Sequence, residues 1–119
     1  MQTILIIGRI LFGGFFLFNG LNHFRNLNSL RQYAASKKVP APKLATMLTG
    51  LLLLVGGLGV MFNLYLDMAL WLLVLFLIPT TIIMHTFWKE TDPNAKMLEM
   101  NAFLKNMALA GAALMFLAI

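Results

Sequence analysis

Cysteine is absent from this chain of 119 residues. Its absence excludes disulfide bonds, zinc sites built from thiolates, iron–sulfur clusters and dithiol redox relays. Any redox chemistry in which the protein takes part must therefore use a borrowed cofactor.

Charged side chains are also scarce. They make up 11% of the residues, against roughly 25% in an ordinary soluble domain, whereas hydrophobic residues make up 61%. Because so few charges cannot cover a water-facing surface, the composition predicts a protein that lives in a lipid bilayer. At about 20 residues for each crossing, four spans leave room for connections but none for a separate soluble catalytic domain.

Four apolar runs are long enough to cross the membrane. Within a single transmembrane domain, 1–119, we expect the spans at about residues 3–22, 44–62, 68–86 and 102–119. The predicted fold class is all-α, an integral membrane four-helix bundle. The first and third spans end in similar polar and aromatic residues, which favours two parallel helix-hairpin repeats with short interfacial helices.

The connection between the first two spans contains an amphipathic segment. Asn28 or Ser29 can cap a short helix there. In this helix Leu30, Tyr33 and Ala34 fall on one side, and we expect that side to face the lipid.

The third connection contains the start of a second helix, and the second connection is short. Asp92 and Pro93 are typical of a helix start, and this second interfacial helix is expected to run towards the fourth span. The connection around residues 63–66 is expected to be a tight turn.

Basic residues lie mostly in the two long connections. They are Arg25, Arg31, Lys37, Lys38 and Lys43 in the first connection, and Lys89 and Lys96, with Lys105 just beyond, in the third. Because the positive-inside rule places such loops in the cytoplasm, both termini are predicted to be external, in a multi-pass protein of a bacterial inner membrane. The basic residues form no continuous stripe, so anionic lipid rather than nucleic acid is the expected counter-charge.

Arg9 and Asp67 are the ionisable residues expected near the external face. Because a lone guanidinium inside a span is costly, we predict a structural ion pair that joins the first span to the third. The alternative is that Arg9 snorkels to external phosphate groups.

A polar layer is predicted near the cytoplasmic ends of the spans. His23 and His85 are the two histidines of the chain and should lie at similar depth, since the first and third spans run parallel. The candidate ligand-binding residues are Asn19, Asn22, His23, His85, Lys105 and Asn106. Such a layer can hold the polar head of a quinone or another lipid-soluble ligand.

Other interpretations of the polar layer stay open. Polar and aromatic residues at span ends are also ordinary membrane anchors. Two histidines at one depth can ligate a haem, which is disfavoured here because the layer lies close to water. No metal site is predicted, because no further ligands are evident, and no catalytic residue is predicted.

Small residues occur throughout the spans and predict close helix packing. They are Gly8, Gly13, Gly14 and Gly20 in the first span, Gly50, Gly56, Gly57 and Gly59 in the second, and Ala108, Gly111 and Ala112 in the fourth. The apolar, small-residue surface of four thin spans also predicts a homo-oligomer or a complex with a protein partner.

Several of these motifs together resemble the DoxX family. They are Gly8-Arg9-Ile-Leu-Phe-Gly13, Asn19-Gly20, Val39-Pro-Ala-Pro42, the glycine-rich second span, His85-Thr-Phe-Trp88, and Phe103-Leu-Lys-Asn106 before a small-residue fourth span. The resemblance extends over nearly the whole chain. It implies a small four-helix membrane protein, and the family's namesake is the small subunit of a thiosulfate:quinone oxidoreductase. Many relatives carry a basic residue where this chain has Asn22-His23.

Two functions follow as hypotheses. In the first, the protein is a quinone-linked subunit or anchor of a membrane oxidoreductase system, with no self-contained catalytic site. In the second, it is a non-enzymatic scaffold or assembly factor that recruits a partner through its basic cytoplasmic loops.

Overall fold

The structure is a computed structural model that describes residues 1–119. It is all helical, with five α-helices and one 3-10 turn. The helices are α1 (Gln2–Arg25), α2 (Leu27–Ser36), α3 (Pro42–Met61), α4 (Leu66–Met84) and α5 (Pro93–Ala118), and the 3-10 turn is Phe87–Lys89. Four of them, α1, α3, α4 and α5, are long and apolar enough to cross a membrane. The predicted fold class, an all-α membrane bundle, is confirmed.

The four long helices form a ring in which each helix is antiparallel to its neighbours. Helix α1 packs on α3, α3 on α4 and α4 on α5. The ring closes where the Phe12 ring of α1 lies 5.6 Å from the Phe116 ring of α5. Helices α1 and α4 are therefore diagonal and parallel, and their C-terminal ends lie at the same end of the bundle.

Helix α4 supplies half of the ten residues of the buried core. Leu70, Leu73 and Leu77 of α4 are fully buried against Phe16 of α1 and Leu53 of α3. By contrast, α1 and α5 leave most of their large apolar side chains on the outer surface. Such a surface is suited to lipid rather than to water.

Glycine brings the backbones of α1 and α3 into contact. A Cβ atom added at Gly57 would lie 2.6 Å from the backbone nitrogen of Leu17 and 2.7 Å from the carbonyl oxygen of Gly13. The predicted packing role is confirmed for Gly13, Gly20, Gly50, Gly56, Gly57 and Gly59, where an added Cβ would meet a neighbour within 3.0 Å. It is wrong for Gly8, Gly14 and Gly111, which face open space because they lie on outward helix faces.

Helix α2 lies across one end of the bundle, which we call the α2 end. It begins at Leu27 after Asn26, so the predicted caps at Asn28 and Ser29 are wrong. The predicted orientation is also wrong. Ala34 is buried, and Leu30 and Tyr33 line cavities inside the bundle. The apolar side of α2 faces inward because the chain turns back after α1 and lays α2 against α3.

The other connections follow their local sequence signals. The turn between α3 and α4 is tight, with left-handed backbone at Asn63 and Tyr65. Asp92 caps α5, since its Oδ2 atom accepts a hydrogen bond of 3.0 Å from the Ala95 amide, and Pro93 is the first helical residue. Helix α5 then continues without a break to Ala118, so the interfacial helix and the fourth span are one element.

Candidate ligand-binding site

A cavity of about 190 Å³ lies between the long helices at the α2 end, beneath α2. Its polar lining consists of Asn19 and His23 from α1, Tyr33 from α2, Thr80 from α4, His85 just beyond α4, and Lys105 and Asn106 from α5. Aromatic and aliphatic side chains, Phe15, Phe16, Leu30, Leu53, Phe76, Leu77 and Met84, form the rest of the wall. Both histidines therefore lie at one level of the bundle and face one space.

The structure brings together all of the predicted ligand-binding residues except Asn22. The Asn22 side chain instead accepts a hydrogen bond from the Asn26 side chain near the end of α1. Asn22 is not part of the cavity wall. That the remaining residues bind a ligand stays a prediction.

His23 is held by the helix on which it lies. Its Nδ1 atom donates a hydrogen bond of 2.8 Å to the carbonyl oxygen of Asn19, one turn earlier. The amide Nδ2 of Asn19 is engaged in the same way, with the carbonyl oxygen of Phe15 at 2.9 Å. These local bonds fix which atoms of each side chain stay free for a ligand.

Helix α5 contributes an ammonium group and an amide. The Nζ atom of Lys105 lies 5.4 Å from the centre of the Phe15 ring, a cation–π contact between α5 and α1. Asn106, the next residue, is 8% exposed. It lines the cavity, and its side-chain amide makes no hydrogen bond within the protein.

A second cavity of about 250 Å³ adjoins the first beneath α2. The two share His23, Leu30, Tyr33, Phe76, Thr80 and Met84 as lining residues. Thr46 and Thr49 in its wall donate hydrogen bonds to carbonyl oxygens of their own helix. Because these hydroxyl groups are already satisfied, the second cavity is suited to an apolar chain.

A network centred on Glu99 of α5 closes the α2 end. The Tyr33 hydroxyl donates to the Glu99 carboxylate, with both oxygens at 2.9 Å. The Lys37 Nζ atom lies 3.2 Å from Glu99 Oε2 and 3.6 Å from Glu90 Oε1. His85 Nδ1 lies 3.5 Å from Glu99 Oε1, and this nitrogen is buried and makes no hydrogen bond.

The environment of Tyr33 disfavours its phenolate form. Burial, together with the hydrogen bond to Glu99 and the charge of that carboxylate, raises the pKa of Tyr33 well above its ordinary value. The phenol therefore stays protonated and acts as a hydrogen-bond donor to Glu99.

Sequence reasoning missed Tyr33, Lys37 and Glu99 as members of the site. One sequence signal could have indicated Glu99: it precedes Asn106 by seven residues, so the two residues fall on the same face of a helix. The sequence pattern predicts Tyr33 on the lipid-facing side of α2 and Lys37 in a basic loop. Their partner lies in a distant segment of the chain, which local pattern does not reveal.

The predicted ion pair between Arg9 and Asp67 is absent. All three ion pairs in the structure involve Lys37 or Glu99 at the α2 end. Arg9 and Asp67 do not meet because α1 and α4 are diagonal in the ring. Asp67 is exposed, and Arg9 is half-buried.

Comparison with known proteins identifies the family of this chain. Neither the curated proteins nor the solved structures gave a match. Residues 4–86 match the sequence model of the DoxX family. The match ends before α5, so it does not extend to Glu99, Lys105 or Asn106. Because it includes most of the chain, with α1 to α4, this multi-pass membrane protein belongs to the DoxX family.

Proposed function

We propose that this DoxX protein binds the head group of a membrane quinone in the cavity at the α2 end. It would serve as a quinone-linked subunit or anchor of a membrane oxidoreductase system. The observation that supports this most is Asn106, a residue 8% exposed whose side-chain amide lines the cavity and makes no hydrogen bond within the protein. Because a hydrogen bond is worth about 0.5–1.5 kcal/mol net, a ligand with a carbonyl group that this amide can donate to gains affinity.

The dimensions of the two cavities agree with such a ligand. A cavity of about 150 Å³ can hold a benzene ring, and the first cavity, at about 190 Å³, accommodates one substituted six-membered ring. The second cavity can take the beginning of an isoprenoid tail. A polar head beside an apolar chain is the general form of a lipid quinone.

On this proposal each wall residue has a simple role. Lys105 and Asn106 donate hydrogen bonds to a ligand oxygen, while Phe15, Phe16 and Phe76 exclude water from the ring. A bound quinone supplies two-electron redox chemistry, and the electrons come from a partner protein. The chain contributes binding, orientation and a dry environment.

Quinone binding can be tested with the protein in lipid nanodiscs. Calorimetric titration with a decyl-chain ubiquinone should show saturable binding that empty nanodiscs lack. Asn106→Leu should weaken this binding about tenfold or more, since one lost hydrogen bond in a dry site is worth about 1.4 kcal/mol. The matched control is Asn101→Leu, on the exposed side of the same helix. Equal affinity of the two variants, or no binding by the unaltered protein, would contradict the proposal.

We also propose that the α2 end faces the cytoplasm. All basic residues except Arg9 lie at this end, and the positive-inside rule favours its retention on the cytoplasmic side. The cavity then lies near the cytoplasmic side of the membrane, where soluble electron donors are found.

The same charge distribution favours the scaffold function as a second candidate. Lys38 and Lys43 are exposed at the α2 end, whereas Lys37 is engaged internally with Glu99 and Glu90. A recruited acidic partner should therefore be released by Lys38→Glu with Lys43→Glu, as measured by crosslinking in native membranes. Retention of every crosslinked protein by the double variant would contradict this candidate.

A further inference from the structure

The free hydrogen-bonding groups of the cavity differ from one wall to the next. We infer that the cavity is matched to the reduced, hydroxyl-bearing form of its ligand, a quinol, in preference to the oxidised quinone. This inference rests on the proposed function and specifies which form of the ligand the site favours.

The α1 wall presents an acceptor. The Nδ1–H group of His23 is used by the carbonyl oxygen of Asn19, and no carboxylate lies within salt-bridge distance of this ring. In the neutral imidazole, the remaining atom Nε2 can only accept a hydrogen bond. One N–H of the Asn19 amide donates to the carbonyl oxygen of Phe15, and its second N–H and its Oδ1 atom stay free, so Asn19 can donate or accept and selects neither form.

The upper wall, from α2 and the end of α4, presents acceptors too. The Tyr33 hydroxyl uses its one O–H group to donate a hydrogen bond to the Glu99 carboxylate, so only lone pairs of its oxygen stay free. The carboxylate oxygen 3.5 Å from His85 Nδ1 favours a proton on that nitrogen, which leaves Nε2 of the neutral ring as an acceptor. The hydroxyl of Thr80 can donate or accept and therefore selects neither form.

Donors come from α5. The Lys105 ammonium can only donate, and the unpartnered amide of Asn106 offers both a donor and an acceptor. The groups that can only donate thus lie on α5, at Lys105, and the groups that can only accept lie on α1 and α2, at His23 Nε2 and the Tyr33 oxygen.

A quinone does not complement this arrangement, because both of its oxygens are carbonyl acceptors. Its carbonyls can accept from Lys105, Asn106, Asn19 or Thr80, but neither carbonyl can donate to His23 Nε2, which stays without a donor. The two hydroxyl groups of a quinol can each donate and accept. One can donate to His23 Nε2 while the other accepts from Lys105, which adds a hydrogen bond that the quinone cannot make.

Binding measurements with both forms of one ligand test the inference. In nanodiscs, decylubiquinol kept anaerobic should bind about tenfold or more tightly than decylubiquinone, because one hydrogen bond gained is worth about 1.4 kcal/mol. Tighter binding of the reduced form also raises the midpoint potential of the bound couple, by about 30 mV for each tenfold preference. A redox titration thus gives a second readout that requires no enzymatic activity.

Variants of the α1 wall test whether the preference for quinol over quinone depends on the acceptor atom of that wall. His23→Leu should lower quinol affinity towards that of the quinone and leave quinone affinity unchanged, whereas Asn106→Leu should weaken both ligands. His23→Phe provides a second variant without the Nε2 acceptor should His23→Leu not fold, as judged by its helical circular dichroism. Equal affinity for the two forms, or tighter quinone binding, would overturn the inference and leave the proposed function standing. Absence of binding of either form would overturn both.

Discussion

At the scale of single residues, glycine has two different roles in this bundle. Gly57 and Gly13 allow the backbones of α3 and α1 to touch, and no side chain fits between them. Gly14, next to Gly13 in sequence, points into open space and supports no contact. Position on the helix face therefore decides whether the missing side chain matters.

Replacing these glycines with alanine should separate the two roles. Gly57→Ala places a methyl group against backbone atoms at 2.6 and 2.7 Å, and backbone atoms yield less readily than side-chain ends. We expect a loss of about 1–3 kcal/mol in the free energy of unfolding. Gly14→Ala should leave this free energy unchanged or raise it by up to about 1 kcal/mol, because alanine is the better helix former.

Reversible unfolding in detergent micelles with added sodium dodecyl sulfate measures both variants under one condition. A Gly57→Ala protein as stable as Gly14→Ala would contradict the backbone contact between α1 and α3.

At the scale of helices, local sequence signals predicted the features that depend on neighbouring residues in the chain, namely helix positions and helix starts. Hydropathy indicated the four long helices, Asp92 and Pro93 indicated the start of α5, and the antiparallel order placed His23 and His85 at one depth. The orientation of α2 and the network around Glu99 could not be predicted in this way. The Tyr33 to Glu99 hydrogen bond joins residues 66 positions apart, so it depends on how whole helices pack.

Polar contacts attach α2 to the α4 and α5 side of the bundle. Tyr33 and Lys37 both reach Glu99, and Lys37 also donates to the Thr86 hydroxyl at 3.3 Å. Because α2 forms the roof of both cavities, these contacts keep the roof closed. Thr80, which lines both cavities, is a suitable position for a reporter.

Removing the Glu99 charge should open this roof. Because the chain has no native cysteine, Thr80→Cys can serve as a single reactive reporter. Adding Glu99→Gln to this variant should make the reporter react about tenfold faster with a water-soluble maleimide, since hydrogen bonds to a charged group are worth about 1.5–3 kcal/mol. Glu90→Gln is the matched control, because its contact with Lys37 is longer and more exposed. Ser36→Cys, already exposed, should react at the same rate in every background. An unchanged rate at Thr80→Cys with Glu99→Gln would contradict the role of Glu99 in holding α2.

At the scale of the whole molecule, the bundle matches a bilayer in length and has charge at one end. Its longest dimension is 46 Å, close to the 40–45 Å or so of a bilayer with its headgroup regions. Helix α5, with 26 residues, extends about 39 Å. This exceeds a hydrocarbon core of about 30 Å, so its first turns, with Glu99, reach the headgroup region when the α2 end lies at the membrane surface. The ligand cavity lies just beneath that surface, where a peripheral partner can approach it.

Single-cysteine labelling can establish which side of the membrane this end faces. If the α2 end is cytoplasmic, Ser36→Cys and Asn94→Cys should react with a membrane-impermeant maleimide in inside-out vesicles and stay unlabelled in intact cells. Asn63→Cys, in the turn at the opposite end, should behave in the reverse manner. Labelling of Ser36→Cys and Asn94→Cys in intact cells would invert the orientation and place the cavity on the external side, where a cytoplasmic electron donor has no access to it. Labelling of Asn63→Cys from the same side as the other two would contradict the antiparallel ring itself, since α3 and α4 then could not cross.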